Sequence, residues 1–184
     1  MMEDRLLLES VKSGQKDALR TIYERYEGTL LALAGNLLDD PATAEDVLQD
    51  VLVSFVQSVH RVKIRSSLKG YLAMAVVNRT RDYYRRRPRQ QVVSIDAARG
   101  MAADGEGPVQ MVQRSEQAQR ARAALTELPY EQREAITLRL HADMKFREIA
   151  KIQNVSVKTA LSRYRYGLDK LRSMLNGEVR HESD

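Results

Sequence analysis

Apolar residues recur at steps of three and four through both halves of the chain, and this period limits the fold more than any other feature. In "DRLLLESVKSGQKDALRTIYERYEGTLLALAGNLL" the positions Leu7, Leu8, Val11, Ala18, Leu19, Ile22, Tyr23, Tyr26, Leu30, Leu33 and Leu37 form the stripe of a buried helical face. Gly14 and "LDDPAT" interrupt it, and Pro41 and Thr43 suit a helix start. The next helix, "AEDVLQDVLVSFVQSV", buries Val47 or Leu48, Val51, Leu52, Phe55 and Val59, and leaves Asp46, Gln49 and Asp50 outside. After the basic loop "RVKIRSS" the period resumes in "LKGYLAMAVVNRTRDYYRRR", through Leu68, Leu72, Ala75, Val76 and Tyr83. Tyr71, Met74, Asn78, Arg81 and Arg85 fall on a neighbouring face of that helix, which Pro88 should end.

From Gln90 to about Ser115 the period is lost in Gly, Ala and acids, which marks a linker between two helical domains. The expectation is therefore an all-α chain of two small helical domains on a flexible linker. The first domain takes residues 1–90, the linker 91–115, a four-helix domain 116–178 and a short tail 179–184. In the second domain one helix ends near Leu128 and Pro129 starts another. A pair of helices then flanks "QNVS", where Phe146, Ile149 and Ala150 face inward and small Ala150 lets the axes approach. Asn154 tolerates the left-handed backbone a tight turn needs, and Ser156 can cap the following helix. The inward stripe of that helix is Ala160, Tyr164, Leu168, Leu171 and Leu175, so the pair reads as a helix-turn-helix. Its outward face carries Lys158, Thr159, Ser162, Arg163, Arg165 and Tyr166, side chains suited to base edges and phosphates.

Charge is segregated along the chain. Residues 1–60 hold five Lys/Arg against eleven Asp/Glu, whereas residues 61–91 hold ten against one. Six of the ten are arginines within "VVNRTRDYYRRRPRQQ", where the planar guanidinium fork bonds phosphates in pairs. An acidic block followed by a basic one implies two different partners, one of them polyanionic.

Several functions are excluded by what the sequence lacks. It has no cysteine, hence no disulfide, thiolate nucleophile or cysteine-bound zinc. His60, His141 and His181 lack metal-ligand spacing, and "DGEG" lacks the lysine and helix start of a phosphate loop, so neither metal nor cofactor is expected. No catalytic constellation stands out, which points away from an enzyme. "MMEDRLLLES" is unlike a secretory signal and no apolar run nears the ~20 residues of a membrane span, so a cytoplasmic protein is expected.

In order, "AEDVLQDVLVSF", "YLAMAVVNRTRDYYRRR" and "LPYEQREAITLRLHADMKFREIAKIQNVSVKTALSRYRYGLDKLR" resemble the extracytoplasmic-function group of bacterial RNA polymerase sigma factors. The resemblance implies regions two and four of that family, with core RNA polymerase and promoter DNA as partners and an inhibitory anti-sigma protein as a further one. It places Asp46, Gln49 and Asp50 against the coiled coil of the polymerase's largest subunit. It assigns Lys63, Arg65, Asn78, Arg79, Arg81, Tyr84, Arg85 and Arg86 to reading and opening the minus-ten element. Lys158, Thr159, Ser162, Arg163 and Arg165 are implied for the minus-thirty-five element. The chain departs from the family in having Tyr71 where a tryptophan is usual, and no aromatic in "RVKIRSS". The other readings of the same residues are a stand-alone helix-turn-helix regulator and a helical interaction protein without nucleic acid.

Overall fold

The computed structural model describes residues 2–38, 40–62, 67–86 and 108–181. The first four helices are α1 (Met2–Lys12), α2 (Lys16–Leu37), α3 (Pro41–Ser58) and α4 (Leu68–Arg86), with a 3-10 turn over Val59–Arg61. Gly14, at φ 83°, turns the chain between α1 and α2 in a conformation that costs other residues a steric clash. Asp40 caps α3 by accepting from the Thr43 amide at 2.9 Å, and Pro41 follows at the first helical position, where its missing N–H costs nothing.

The apolar stripes meet in one core. Ile22, Leu30, Leu33 and Leu37 of α2 are fully buried with Phe55 of α3 and Leu68, Leu72 and Val76 of α4. Each such side chain contributes about 1.5–3 kcal/mol by leaving water. Tyr23, expected in the stripe, is instead exposed; Leu19, Leu52, Ala75 and Tyr83 are half-buried. Asp4, an acid in an acidic segment, is buried: its carboxylate accepts from the Tyr26 hydroxyl at 2.7 Å and from the Leu68 amide at 3.1 Å. It thus ties α1 to α2 and places a negative charge on the N-terminus of α4. Burial, and then the bond to Asp4, pushes the Tyr26 hydroxyl up to about 12.

The second group of helices is α5 (Pro108–Thr126), α6 (Tyr130–Leu140), α7 (Phe146–Gln153) and α8 (Val157–His181). Two expected boundaries move: α5 begins at Pro108, inside the expected linker, and α8 runs through His181, inside the expected tail. Proline at the first helical position explains the earlier start. Linker residues 91–107 lie outside the described residues.

The α7–α8 turn forms as its residues require. Asn154 is left-handed at φ 51°, ψ 48°, the Val155 amide bonds back to the Ala150 carbonyl at 2.9 Å, and the Ser156 hydroxyl accepts from the Thr159 amide at 3.0 Å. Ala150 and Ala160 are buried where the helices cross, and Phe146 meets Tyr164 edge-on at 5.2 Å.

The two groups of helices pack on each other, α2 against α5 and α6. Helix α6 is consequently buried on nearly every side, from Arg133 through Leu138, with the α7–α8 pair on one flank and α2 and α4 on the other. At Gly35 of α2 the Arg122 guanidinium of α5 lies 3.5 Å from where a Cβ would stand, ordinary van der Waals contact across the two groups of helices. Among the described residues no helix is long and apolar enough to cross a membrane.

Candidate nucleic-acid interface

Three charged surfaces stand on three helices. On α3, Asp46, Gln49 and Asp50 are exposed in a row, with Val53 and Val56 continuing the face toward its C-terminus. The row is open because Val47, Leu48, Val51 and Phe55 point the other way, into the core. Asp50 also reaches Arg79 of α4 at 3.2 Å, so a residue expected at the polymerase contact pairs with one expected at DNA.

On α4, Met74, Asn78, Arg85 and Arg86 are exposed, with Arg85 paired to Asp82 at 3.0 Å. Tyr71 is half-buried against Phe55, ring centroids 6.1 Å apart, and so serves partly as core. Lys63 and Arg65 lie outside the described residues. Arg81 and Tyr84, also expected at the minus-ten element, turn toward the second group of helices. Tyr84 donates to the Leu37 carbonyl at 3.0 Å and meets Tyr130 edge-on at 5.7 Å. Arg81 bonds both carboxylate oxygens of Glu134, at 2.9 and 2.7 Å, and the Ile152 carbonyl at 2.8 Å. The alternation of core and surface along α4 explains the split: residues 78, 85 and 86 lie outside, whereas 80, 81 and 84 face α6.

On α8, Lys158, Thr159, Arg165 and Tyr166 are exposed, and Ser162 and Arg163 are half-buried. Thr159 shares its hydroxyl with Ser156 at 2.8 Å, so part of its hydrogen-bonding capacity serves the cap. Arg163 donates from its guanidinium Nη1 to the Gln153 side-chain carbonyl at 3.0 Å, which holds its charged end against α7. An open groove of about 490 Å³ runs beside the turn, lined by Arg147, Lys151, Asn154 and Ser156 among others. Arg147 and Lys151 were absent from the sequence expectations. Their signal was two cations one turn apart on the helix before the turn, the element that crosses the DNA backbone in such motifs.

The second site feature missed from sequence is Glu134. It is wholly buried, and its carboxylate also accepts from the Gln153 amide at 3.0 Å. Burial, and then the Glu134 charge, pushes the Tyr130 hydroxyl above its ordinary range; that hydroxyl is 3.0 Å from Thr80. No cluster of His, Cys, Asp and Glu suited to a metal occurs among the described residues.

Comparison with known proteins fits this arrangement. Residues 22–90 match Sigma-70 region 2 and residues 118–171 match Sigma-70, region 4. The chain is 29% identical to the RNA polymerase sigma factor CnrH of Cupriavidus metallidurans, with 95% of each covered. It is 24% identical to the ECF RNA polymerase sigma factor SigW of Bacillus subtilis, covering 91% of this chain and 94% of the relative. It is 25% identical to the ECF RNA polymerase sigma-E factor of Escherichia coli K12, with 88% of each covered. Two solved structures share the fold. CnrH in complex with the cytosolic domain of CnrY has a TM-score of 0.69 and 24% identity, covering 95% of this chain and 97% of that one. The sigma factor RpoE of Bartonella quintana in complex with the anti-sigma factor NepR has a TM-score of 0.70 and 23% identity, covering 85% and 96%. With regions two and four in order on an all-helical frame, the chain belongs to the extracytoplasmic-function group of RNA polymerase sigma factors.

Proposed function

We propose that the three charged surfaces divide the work of this sigma factor. The α3 row of Asp46, Gln49 and Asp50 docks on the coiled coil of the largest polymerase subunit, where it meets basic side chains. Asn78, Arg79, Arg81, Tyr84, Arg85 and Arg86 of α4, with Lys63 and Arg65 before it, hold the minus-ten element where its strands part. Arginine grips the phosphates and the tyrosine ring stacks. The α8 face of Lys158, Thr159, Ser162, Arg163 and Arg165 enters the major groove of the minus-thirty-five element, and Arg147 and Lys151 hold its backbone.

The observation that carries this reading is the sign of the exposed faces: acidic on α3, basic on α4 and α8. The chain acts in the cytoplasm as a specificity subunit and performs no catalysis of its own. An inhibitory protein, as in the complex of RpoE with NepR, is a further partner.

Run-off transcription over genomic fragments with core polymerase tests the reading. Start sites should share one pair of upstream elements. A chain that leaves core polymerase unprogrammed, yet binds duplex DNA specifically by itself, would be a stand-alone regulator instead.

A further inference from the structure

Gln153 stands behind the outward face of α8 with both ends of its amide engaged. It is the last residue of α7 and is buried, and the left-handed turn at Asn154 fixes the backbone that follows. Its Nε2 donates to the Glu131 carbonyl at 2.8 Å and to a Glu134 carboxylate oxygen at 3.0 Å, which uses both of its N–H groups. A flipped amide would set Oε1 against those two acceptors, so Glu131 and Glu134 decide which way the amide points. Oε1 is thereby aimed at α8, where it accepts from Arg163 Nη1 at 3.0 Å. All four residues belong to α6, α7 and α8, so the relay is complete within the second group of helices.

The bond sets Arg163 apart from the other cations of its face. Lys158 and Arg165 are exposed, whereas Arg163 is half-buried and held. A long side chain that is free before binding loses rotamer freedom on binding, which weakens the contact by about two- to tenfold. Holding Nη1 removes much of that loss in advance. A guanidinium carries five N–H groups, so Nε and Nη2 still offer the parallel pair of donors that meets guanine O6 and N7. The anchor is also neutral. A carboxylate in its place would offset the charge that draws Arg163 to DNA, whereas an amide fixes the guanidinium and leaves it cationic.

We propose that Gln153 is a positioning residue for sequence readout. It holds the Arg163 guanidinium ready for one base pair of the minus-thirty-five element, and so sets selectivity at that position without touching DNA itself. The proposal rests on the reading of Arg163 as a minus-thirty-five contact. An amide that served the fold alone would, when removed, weaken binding to all DNA alike. The loss of a positioning amide falls on the one base pair that the fork engages, because a mismatched pair never orders the fork.

The test uses holoenzyme assembled from core polymerase and the full chain. Its DNA is a promoter fragment mapped by run-off transcription, together with a set in which one base pair of the minus-thirty-five element is replaced at a time. Arg163→Ala should remove selectivity at one base pair. Gln153→Met, close in length and apolar, should lower selectivity at that same pair about two- to tenfold. Binding to a fragment without the element, and its dependence on salt, should stay unchanged. In the Arg163→Ala background, Gln153→Met should change selectivity no further. Unchanged selectivity in Gln153→Met, a loss spread over all positions, or an equal loss in both backgrounds would overturn the proposal. If Arg163→Ala itself spares every position, the assignment of Arg163 to the element falls and the proposal falls with it, a result distinct from the other three. Melting curves check that the variants fold, and one measurement needs no variant at 153. In nitrogen-15 spectra of the unaltered chain, with Arg163 assigned by its loss in Arg163→Lys, the two Nη groups should give separate signals because one is held. A single averaged signal would overturn the hold.

Discussion

Arg81 and Glu134, 53 residues apart in sequence, meet through two parallel hydrogen bonds of 2.9 and 2.7 Å. Burial pulls the Arg81 pKa down, but the bonds and charge of Glu134 outweigh it and the pKa stands above its ordinary value. A lysine at 81 would keep the charge and lose the fork. Arg81→Lys should therefore weaken docking nearly as much as Glu134→Gln, and the double variant should be hardly worse than either. A double-mutant cycle read by energy transfer between the domains should give a coupling of about 1–3 kcal/mol. Additive effects would mean that the two residues act separately.

Charge reversal on α3 tests the polymerase face. Asp46→Lys and Asp50→Lys should each weaken binding to core polymerase by about 1 kcal/mol, with helix content by circular dichroism unchanged. Asp50→Lys also breaks the exposed pair with Arg79, which is worth at most ~1 kcal/mol of stability. Unaltered affinity in both variants would remove the assignment.

What was legible in the sequence was local. Asp40 and Pro41 before α3, and Asn154 and Ser156 in the turn, act through neighbours within four residues, and their geometry follows from residue type. The α3 face was legible because a helical period sorts inside from outside. What was not legible depends on partners distant in the chain. Asp4 reads as one more acid until Tyr26 and Leu68 are brought to it, and Glu134 reads as surface until Arg81 covers it. Arg81 and Tyr84 share a basic helix with Asn78 and Arg85, and only the docking of α6 separates the two pairs.

Two helical glycines should respond oppositely to alanine. A Cβ at Gly167 would stand 2.7 Å from Ile136 Cδ1 and 3.2 Å from Gln132 Cβ, where α8 crosses α6. Overpacking there costs about 1–3 kcal/mol, more than the ~1 kcal/mol of helix propensity that alanine returns. Gly28 of α2 has open space, so Gly28→Ala should raise stability by about 0.5–1 kcal/mol. Thermal melts of the two variants should move in opposite directions.

Docking should weaken in mild acid. Burial, and secondarily the charge of Lys69, lowers the His141 pKa from its ordinary 6.5, and the Asn36 amide lies against Nε2. The docked form therefore binds fewer protons than the parted form. The contribution is intact above about pH 6.5, declines as pH falls below that, and is lost once pH passes beneath the docked value. Energy transfer between the domains should drop over that window, and His141→Gln should flatten this part of the profile.

The two basic helices should fail in different ways on promoter DNA. Arg163 lies on the helix-turn-helix face and Asn78 and Arg85 on the exposed side of α4, so the first acts on duplex and the others where strands part. Arg163→Ala should weaken initial promoter binding by about 1–3 kcal/mol if it meets a base edge. Asn78→Ala with Arg85→Ala should spare much of the upstream footprint and lower the yield of open complex. Neither of these α4 residues touches Glu134, so the result is independent of docking. A template already mismatched across the minus-ten segment removes the cost of unpairing. It should rescue a defect confined to melting and leave the Arg163 defect in place. Equal rescue of both variants by the premelted template would show that region four does not carry the upstream recognition alone.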